Sequence, residues 1–107
     1  MDITEKEFEE KLNAICKMMK DLLIEKNKSY GGASFQGTFE WAISGNCHRL
    51  GDKYKRYVHL IQKLLAGKEP VTINETLIDS LRDIFGYAVI GMIILDNEEH
   101  FLPKEEK

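Results

Sequence analysis

Three groups of polar residues have types and spacings that could carry chemistry, and the first is a turn that ends in Gly31-Gly32. It places the charge of Lys26, the amide of Asn27 and the hydroxyl of Tyr30 close together in the chain. Successive backbone N–H groups in such a turn can bind phosphate oxygens. The same residues also fit a helix C-terminus, where lysines oppose the macrodipole and glycine ends the helix. Taken alone, the turn favours this capping interpretation.

The second group is cationic and lies on one predicted helix. Arg49, Lys53 and Arg56 share one flank of that helix, and Asp52 lies further round. Three cations on one flank suit a phosphate group, which arginine can bind through two parallel hydrogen bonds. A solvated helix flank explains the same residues without any ligand.

The third group is acidic. Glu75, Asp79 and Asp83 recur at i, i+4 and i+8, which places their carboxylates along one face of a helix. Such carboxylates repel one another unless a cation neutralises them. Mg²⁺ needs few protein carboxylates, so a magnesium site is one interpretation. The other is that the neighbouring Arg82 neutralises a carboxylate without metal.

Helical periodicity indicates the elements that must position these groups. A Thr4–Glu7 capping box predicts a first helix from about Glu5 to about Lys26. Its apolar stripe consists of Phe8, Leu12, Ile15, Met19 and Leu22. From Gly31 to Gly45 we expect an irregular segment, with a loop or a short helix around residues 38–43.

Two further helices are predicted. One runs from about Asn46 to Leu65, and its core stripe consists of Leu50, Tyr54, Tyr57, Ile61 and Leu64. Pro70 is expected in the connecting loop, and Thr72 with Glu75 forms a second capping box. The core stripe of the last helix consists of Leu77, Leu81, Ile84, Ala88 and Leu95.

The second half of the last helix, from Ile84 to Leu95, is apolar nearly all round. A helix that is apolar on every side is buried on every side, and three helices cannot bury it alone. We therefore expect it to form a homo-oligomer contact, with Gly86 and Gly91 allowing close approach. The predicted fold is all-α: a small antiparallel bundle of three long helices plus a short helix or loop, assembled into an oligomer. Residues 1–107 form one domain, with loosely held tails at 1–3 and 97–107.

Composition excludes several classes of protein. The 107 residues carry a formal net charge of -3, which argues against a protein that coats a long nucleic acid. The charged N-terminus predicts no signal peptide, and the most apolar stretch is shorter than the ~20 residues that span a bilayer. We expect no membrane contact and a cytoplasmic location. Cys16 and Cys47 are expected to be buried reduced thiols.

Taken together, the polar groups resemble the nucleotide-modification-associated domain family of short phage and prophage proteins. In that family a helix ends in Lys-Asn-x-x-Tyr-Gly before Ser-Phe, and the next helix carries Arg-Leu-x-Asp-Lys-x-x-Arg. The last helix carries Glu, then Asp-x-x-x-Asp, then Tyr-Ala. The match runs from about Leu22 to Leu95, and its residues are Lys26, Asn27, Tyr30, Gly31, Ser34, Phe35, Arg49, Leu50, Asp52, Lys53, Arg56, Glu75, Asp79, Asp83, Tyr87 and Ala88.

The resemblance implies an all-α domain linked to nucleotide metabolism or modification. The sequence is also distantly similar to the MazG-like nucleoside triphosphate pyrophosphohydrolases. Those enzymes hold Mg²⁺ with acidic pairs from two helices. Here the last helix supplies all three acids of the third group. The helix with the cationic group supplies a single acid, Asp52. The acidic quartet of those enzymes is therefore incomplete.

We accordingly expect a protein that binds a small phosphorylated nucleotide without turnover and needs no cofactor. Phosphate would contact Lys26, Arg49, Lys53 and Arg56, and the base would stack on Tyr30 or Phe35. By the resemblance, a phage could use such a protein in the host cytoplasm to sequester a nucleotide immune signal.

Two alternatives stay open. One is a Mg²⁺-dependent pyrophosphohydrolase that forms a nucleoside monophosphate and pyrophosphate. Its metal would be held by Glu75, Asp79 and Asp83, and Asp52 would complete the site or orient the water. The other is a helical oligomerisation module without a ligand.

Overall fold

The computed structural model describes the backbone of residues 1–67 and 70–104, together with their side chains except those of residues 70–75. Within these ranges every regular element is helical, and no strand occurs. This confirms the all-α prediction. The chain divides into two compact units, Met1–Ala33 and Ser34–Lys107, which are described separately.

The first unit consists of α1, Glu5–Ser29, and the turn that follows it. At its start the Thr4 hydroxyl accepts a hydrogen bond from the Glu7 backbone N–H at 3.1 Å, as the capping box predicts. Its stripe is largely exposed: Phe8 is 62% exposed, whereas Met19 is buried. The helix continues three residues beyond its predicted end at Lys26, because Tyr30 and not the earlier Asn27 occupies the C-cap position.

The turn after α1 is a Schellman motif, the common way of closing a helix with glycine. The Gly31 N–H donates to the Lys28 carbonyl at 3.3 Å, and the Gly32 N–H donates to the Asn27 carbonyl at 3.2 Å. Gly31 adopts the left-handed conformation, with φ of +60°, that this motif requires. Because both glycine N–H groups are hydrogen-bonded to the helix, their geometry favours the capping interpretation.

A short 3-10 helix, Ala33–Phe35, spans the point in the sequence where the second unit begins, and α2, Phe39–Leu65, follows it. Thr38 caps α2 by accepting a hydrogen bond from the Trp41 N–H at 3.2 Å. The predicted break between a short helix near residues 38–43 and a helix beginning at Asn46 was wrong, because α2 is continuous through Gly45. A single interior glycine costs a helix only about 1 kcal/mol, which the strong cap and the packing of α2 can offset.

The last helix, α3, spans Pro70–Glu99. The prediction that Pro70 lies in the connecting loop was wrong: it begins the helix, where proline needs no hydrogen-bonded N–H and has a favourable φ. The predicted capping box of Thr72 and Glu75 involves side chains outside the described part of the chain. Asp96 holds the residues after α3, since its side chain accepts from the Leu102 N–H at 2.7 Å. The C-terminal tail is therefore anchored at least as far as Leu102.

Helices α2 and α3 pack against each other as an antiparallel hairpin. The order of contacts establishes the direction, because Asn46 meets Tyr87 while Lys53, further along α2, meets Asp83, earlier on α3. Asn46 is 5% exposed, and its side-chain amide donates to the Tyr87 carbonyl at 2.8 Å. Gly91 makes room for this amide: a Cβ on Gly91 would lie 2.6 Å from the Asn46 side-chain oxygen.

The predicted core stripes of α2 and α3 are only partly buried. Leu77 is 7% exposed, whereas Tyr54, Leu81 and Leu95 are 57%, 47% and 40% exposed. The buried residues of these two helices are largely small or polar: Ala42, Asn46, Leu77, Ser80, Gly86, Gly91 and Ile94. Hydrophobic spacing alone therefore identified Leu77 but missed the small and polar residues among them.

Both cysteines are exposed and free, contrary to the prediction that they are buried. Cys16 lies at the edge of the α1 stripe and not within it, and Cys47 follows the buried Asn46. Neighbouring helix positions point about 100° apart, so a residue beside a buried one is often exposed.

The Schellman motif gives a stability prediction. Gly31→Ala should lower the free energy of unfolding by roughly 1–2 kcal/mol, because alanine must adopt a left-handed conformation there. Gly51→Ala is the matched control. It lies inside α2 with nothing within 4 Å of an added Cβ, so it should raise the free energy of unfolding by about 0.5–1 kcal/mol. Urea titration followed by circular dichroism measures both, and equal effects of the two variants would contradict the assigned turn.

A double-mutant cycle tests the contact between Asn46 and Gly91. Gly91→Ala should destabilise the protein by roughly 1–3 kcal/mol, because the buried Asn46 amide must move and loses its hydrogen bond. Asn46→Ala removes the clashing atoms, so Gly91→Ala should cost much less in the Asn46→Ala background. Additive changes in the unfolding free energies of the single and double variants would show that the two residues do not touch.

Candidate functional site

The structure joins two of the polar groups that the sequence presents as separate. The Lys53 ammonium lies 3.1 Å from the Asp83 carboxylate, and the two side chains are 36% and 30% exposed. This ion pair crosses from α2 to α3, so a residue of the cationic group neutralises a residue of the acidic group. Lys53 therefore contributes to the helix hairpin as well as to the charge of the candidate site.

The arginines of the cationic group differ from Lys53. Arg49 and Arg56 are both exposed, and no salt bridge joins either one to a carboxylate within the described residues. The Arg49 guanidinium folds back towards the start of α2 and lies over Gly45. A Cβ added at Gly45 would be 3.2 Å from its Nη2 atom. The absence of a side chain at Gly45 lets the guanidinium lie close to the helix backbone.

Each acid of these groups whose side chain is described has a basic neighbour. Asp79 lies 3.3 Å from the Arg82 guanidinium, and Asp52 lies 3.6 Å from the His48 ring. Together with the Lys53–Asp83 pair, these contacts remove much of the repulsion on which the magnesium interpretation depends. In the part of the chain whose side chains are described, no three His, Cys, Asp or Glu residues are grouped to hold a metal ion. The side chain of Glu75 lies outside that part.

An open cleft of about 440 Å³ lies where the start of α2 meets the end of α3. Its apolar wall includes Phe35, Phe39 and Ile94, and its polar wall includes Asp96 and Glu98. Of these five residues, the sequence placed only Phe35 among the predicted ligand-binding residues. These residues come together because the antiparallel hairpin brings the first turn of α2 beside the last turns of α3. The only sequence signal for this position is the Thr38 cap, which marks where α2 begins.

The cleft and the Arg49 guanidinium lie on the same side of α2. Ala42, which lines the cleft, is followed by Gly45 and Arg49 at i+3 and i+7, and these positions share a helix face. The guanidinium over Gly45 is therefore about one helical turn, or ~5 Å, from the cleft wall. Aromatic walls accept a flat ring, carboxylates accept hydrogen bonds from N–H groups, and a guanidinium binds phosphate.

The turn at the end of α1 offers side chains and not backbone donors. Tyr30 is 68% exposed, Asn27 is exposed and Lys26 is half-buried. The N–H groups of Tyr30, Gly31 and Gly32 all donate to carbonyl oxygens of α1. In the other unit, Ser34 is half-buried within the 3-10 helix before α2.

In comparisons with known proteins no family model matches the chain, and neither a curated protein nor a solved structure matches it. Within the described ranges, no helix has both the length and the apolar character needed to cross a membrane.

Proposed function

We propose that this protein binds a small phosphorylated nucleotide without turning it over. The observation that carries the proposal is the Arg49 guanidinium, held over Gly45 about one helical turn from a cleft with two phenylalanine rings. A nucleotide has a flat base and a phosphate joined by a short sugar. The cleft and the guanidinium offer complementary groups at a similar separation.

In this arrangement the base enters the cleft and the phosphate contacts Arg49. Phe35 stacks on the base, while Asp96 and Glu98 accept hydrogen bonds from its N–H groups. Arg56 lies seven residues beyond Arg49, or about 10 Å along α2. The two arginines together therefore suit a ligand with more than one phosphate.

The remaining residues enter the proposal through the family resemblance. They are Lys26, Asn27, Tyr30 and Gly31 of the turn after α1, Ser34 of the 3-10 helix, and Asp52 and Lys53 of α2. The resemblance also supplies the biological setting, in which a phage protein in the host cytoplasm sequesters a nucleotide signal of host immunity. An oligomer forms part of the proposal, because the stretch from Ile84 to Leu95 includes exposed apolar residues such as Met92.

The competing function is Mg²⁺-dependent hydrolysis of a nucleoside triphosphate. It needs the carboxylates of Asp79 and Asp83 to face a metal, but each lies within 3.3 Å of a basic group of the protein. A metal would have to displace Lys53 and Arg82 or share these carboxylates with them. Binding without turnover requires no such rearrangement.

Removing the arginines tests the proposed phosphate contacts. Arg49→Ala should weaken nucleotide binding by roughly 1.5–3 kcal/mol, about tenfold or more in Kd, because a charged hydrogen bond is lost. Arg56→Ala should weaken binding of ligands with several phosphates. Lys55→Ala removes an equal charge from an exposed position on another side of α2 and should change Kd little. Isothermal titration calorimetry with nucleoside triphosphates and cyclic nucleotides measures these values, and unchanged affinity in both arginine variants would refute the site.

Asp83→Asn separates binding from hydrolysis. It removes the acidic partner of Lys53, so the affinity for a phosphorylated nucleotide should rise by up to about fivefold, as expected for a partly exposed ion pair. Asp2→Asn makes the same change in net charge at an exposed terminal position and should have a smaller effect. If wild-type protein hydrolyses the nucleotide with Mg²⁺ and Asp83→Asn does not, the enzyme alternative is correct.

A further inference from the structure

The single tryptophan of the chain lies in the first turn of α2 and is largely exposed. Trp41 is 76% exposed, more than any other aromatic side chain in the described part of the chain. Tryptophan is highly buried on average in folded proteins, because its large ring carries much apolar surface. The exposure of this indole beside a candidate binding site is therefore unusual for its residue type.

The backbone before α2 holds the indole at the rim of the cleft. A Cβ added at Gly37 would lie 3.1 Å from the Trp41 Cδ1 atom, so the ring lies over Gly37. Gly37 has a left-handed φ of +88°, and the Thr38 hydroxyl accepts a hydrogen bond from the Trp41 backbone N–H. Gly37 and Thr38 both line the cleft. The indole therefore borders the cleft that also contains the Phe35 and Phe39 rings.

Trp41 also lies on the flank of α2 that carries the proposed phosphate contact. Trp41, Gly45 and Arg49 follow one another at i, i+4 and i+8, which places them along one side of the helix. The Arg49 guanidinium lies over Gly45, and Gly45 places no side chain between the arginine and the indole. A ligand that reaches from the cleft to this guanidinium therefore lies along the flank that carries the indole.

We propose that Trp41 contacts the base of the bound nucleotide at the rim of the cleft. The inference rests on the proposed function and adds to its site a residue that neither the sequence nor the family resemblance assigned to the ligand. Aromatic side chains stack on the flat face of a nucleobase, and tryptophan has the largest ring for this contact.

The open form of the cleft favours a second aromatic contact. A base that stacks on Phe35 in an open cleft keeps part of its surface in water. An indole at the rim covers part of that surface and is itself covered, so apolar area is removed from water on both molecules. Every base has such a flat face, so Trp41 should contribute affinity for all of them. The carboxylates of Asp96 and Glu98 are the groups that can distinguish one base from another.

Fluorescence of the full-length chain tests the inference, because Trp41 is its only tryptophan. Titration with ATP, GTP, CTP and UTP should quench the emission when a base stacks on the indole. A parallel titration of free tryptophan corrects for light absorbed by the nucleotides. Inorganic triphosphate has no base and should leave the emission nearly unchanged.

Two substitutions measure the contribution of the ring to affinity. Trp41→Ala should raise the Kd for the nucleotide, measured by calorimetry, by about five- to a hundredfold, because one base-stacking contact is lost. Trp41→Phe keeps an aromatic ring and should retain most of the affinity. Tyr54→Ala is the matched control, because Tyr54 is 57% exposed on another side of α2, and this variant should bind like the wild-type protein.

Unchanged affinity of Trp41→Ala for a nucleotide that the wild-type protein binds would overturn the inference and leave the proposed function standing. Equal losses of affinity in Trp41→Ala and Tyr54→Ala would also overturn it. If Trp41→Ala does not fold, the wild-type protein still decides the question: emission that stays constant while calorimetry shows saturation with nucleotide overturns the inference. Absence of any nucleotide binding by the wild-type protein would overturn both the inference and the proposed function.

Discussion

The buried contact between Asn46 and the backbone of α3 is the constraint on which the described hairpin depends. An amide that is 5% exposed must keep its hydrogen bond, and it reaches the Tyr87 carbonyl only because Gly91 leaves space for it. This contact permits one register of α2 against α3. In that register Lys53 meets Asp83, and the first turn of α2 meets the last turns of α3.

The register also sets what lies beside the start of α2. The cleft with Phe35 and Phe39 and the Arg49 guanidinium over Gly45 lie on the same side of this helix. Several large apolar residues of the hairpin, including Tyr54, Leu81 and Leu95, remain exposed, whereas the small or polar Asn46, Ser80 and Gly91 are buried.

The sequence predicted the helices well because caps and periodicity are local signals. Thr4 with Glu7 marked the start of α1, and the result agrees within one residue. Prediction from the sequence failed where the structure depends on contacts between residues that are far apart in the chain. Gly45 suggested a break, yet α2 continues through it, and the Lys53–Asp83 pair joins residues thirty positions apart. The cleft was not predictable either, since its walls come from both ends of the hairpin. Phe35 was identified from its residue type and from the family resemblance, neither of which supplies geometry.

The central claim is that the protein binds a phosphorylated nucleotide and leaves it intact. The most direct test incubates purified protein with nucleoside triphosphates and cyclic nucleotides, with and without Mg²⁺, and analyses each mixture by chromatography before and after heat denaturation. Our account predicts that one ligand disappears from the free pool and returns unchanged when the protein is denatured. Conversion of a ligand to new products only in the presence of Mg²⁺ would contradict it and identify an enzyme instead.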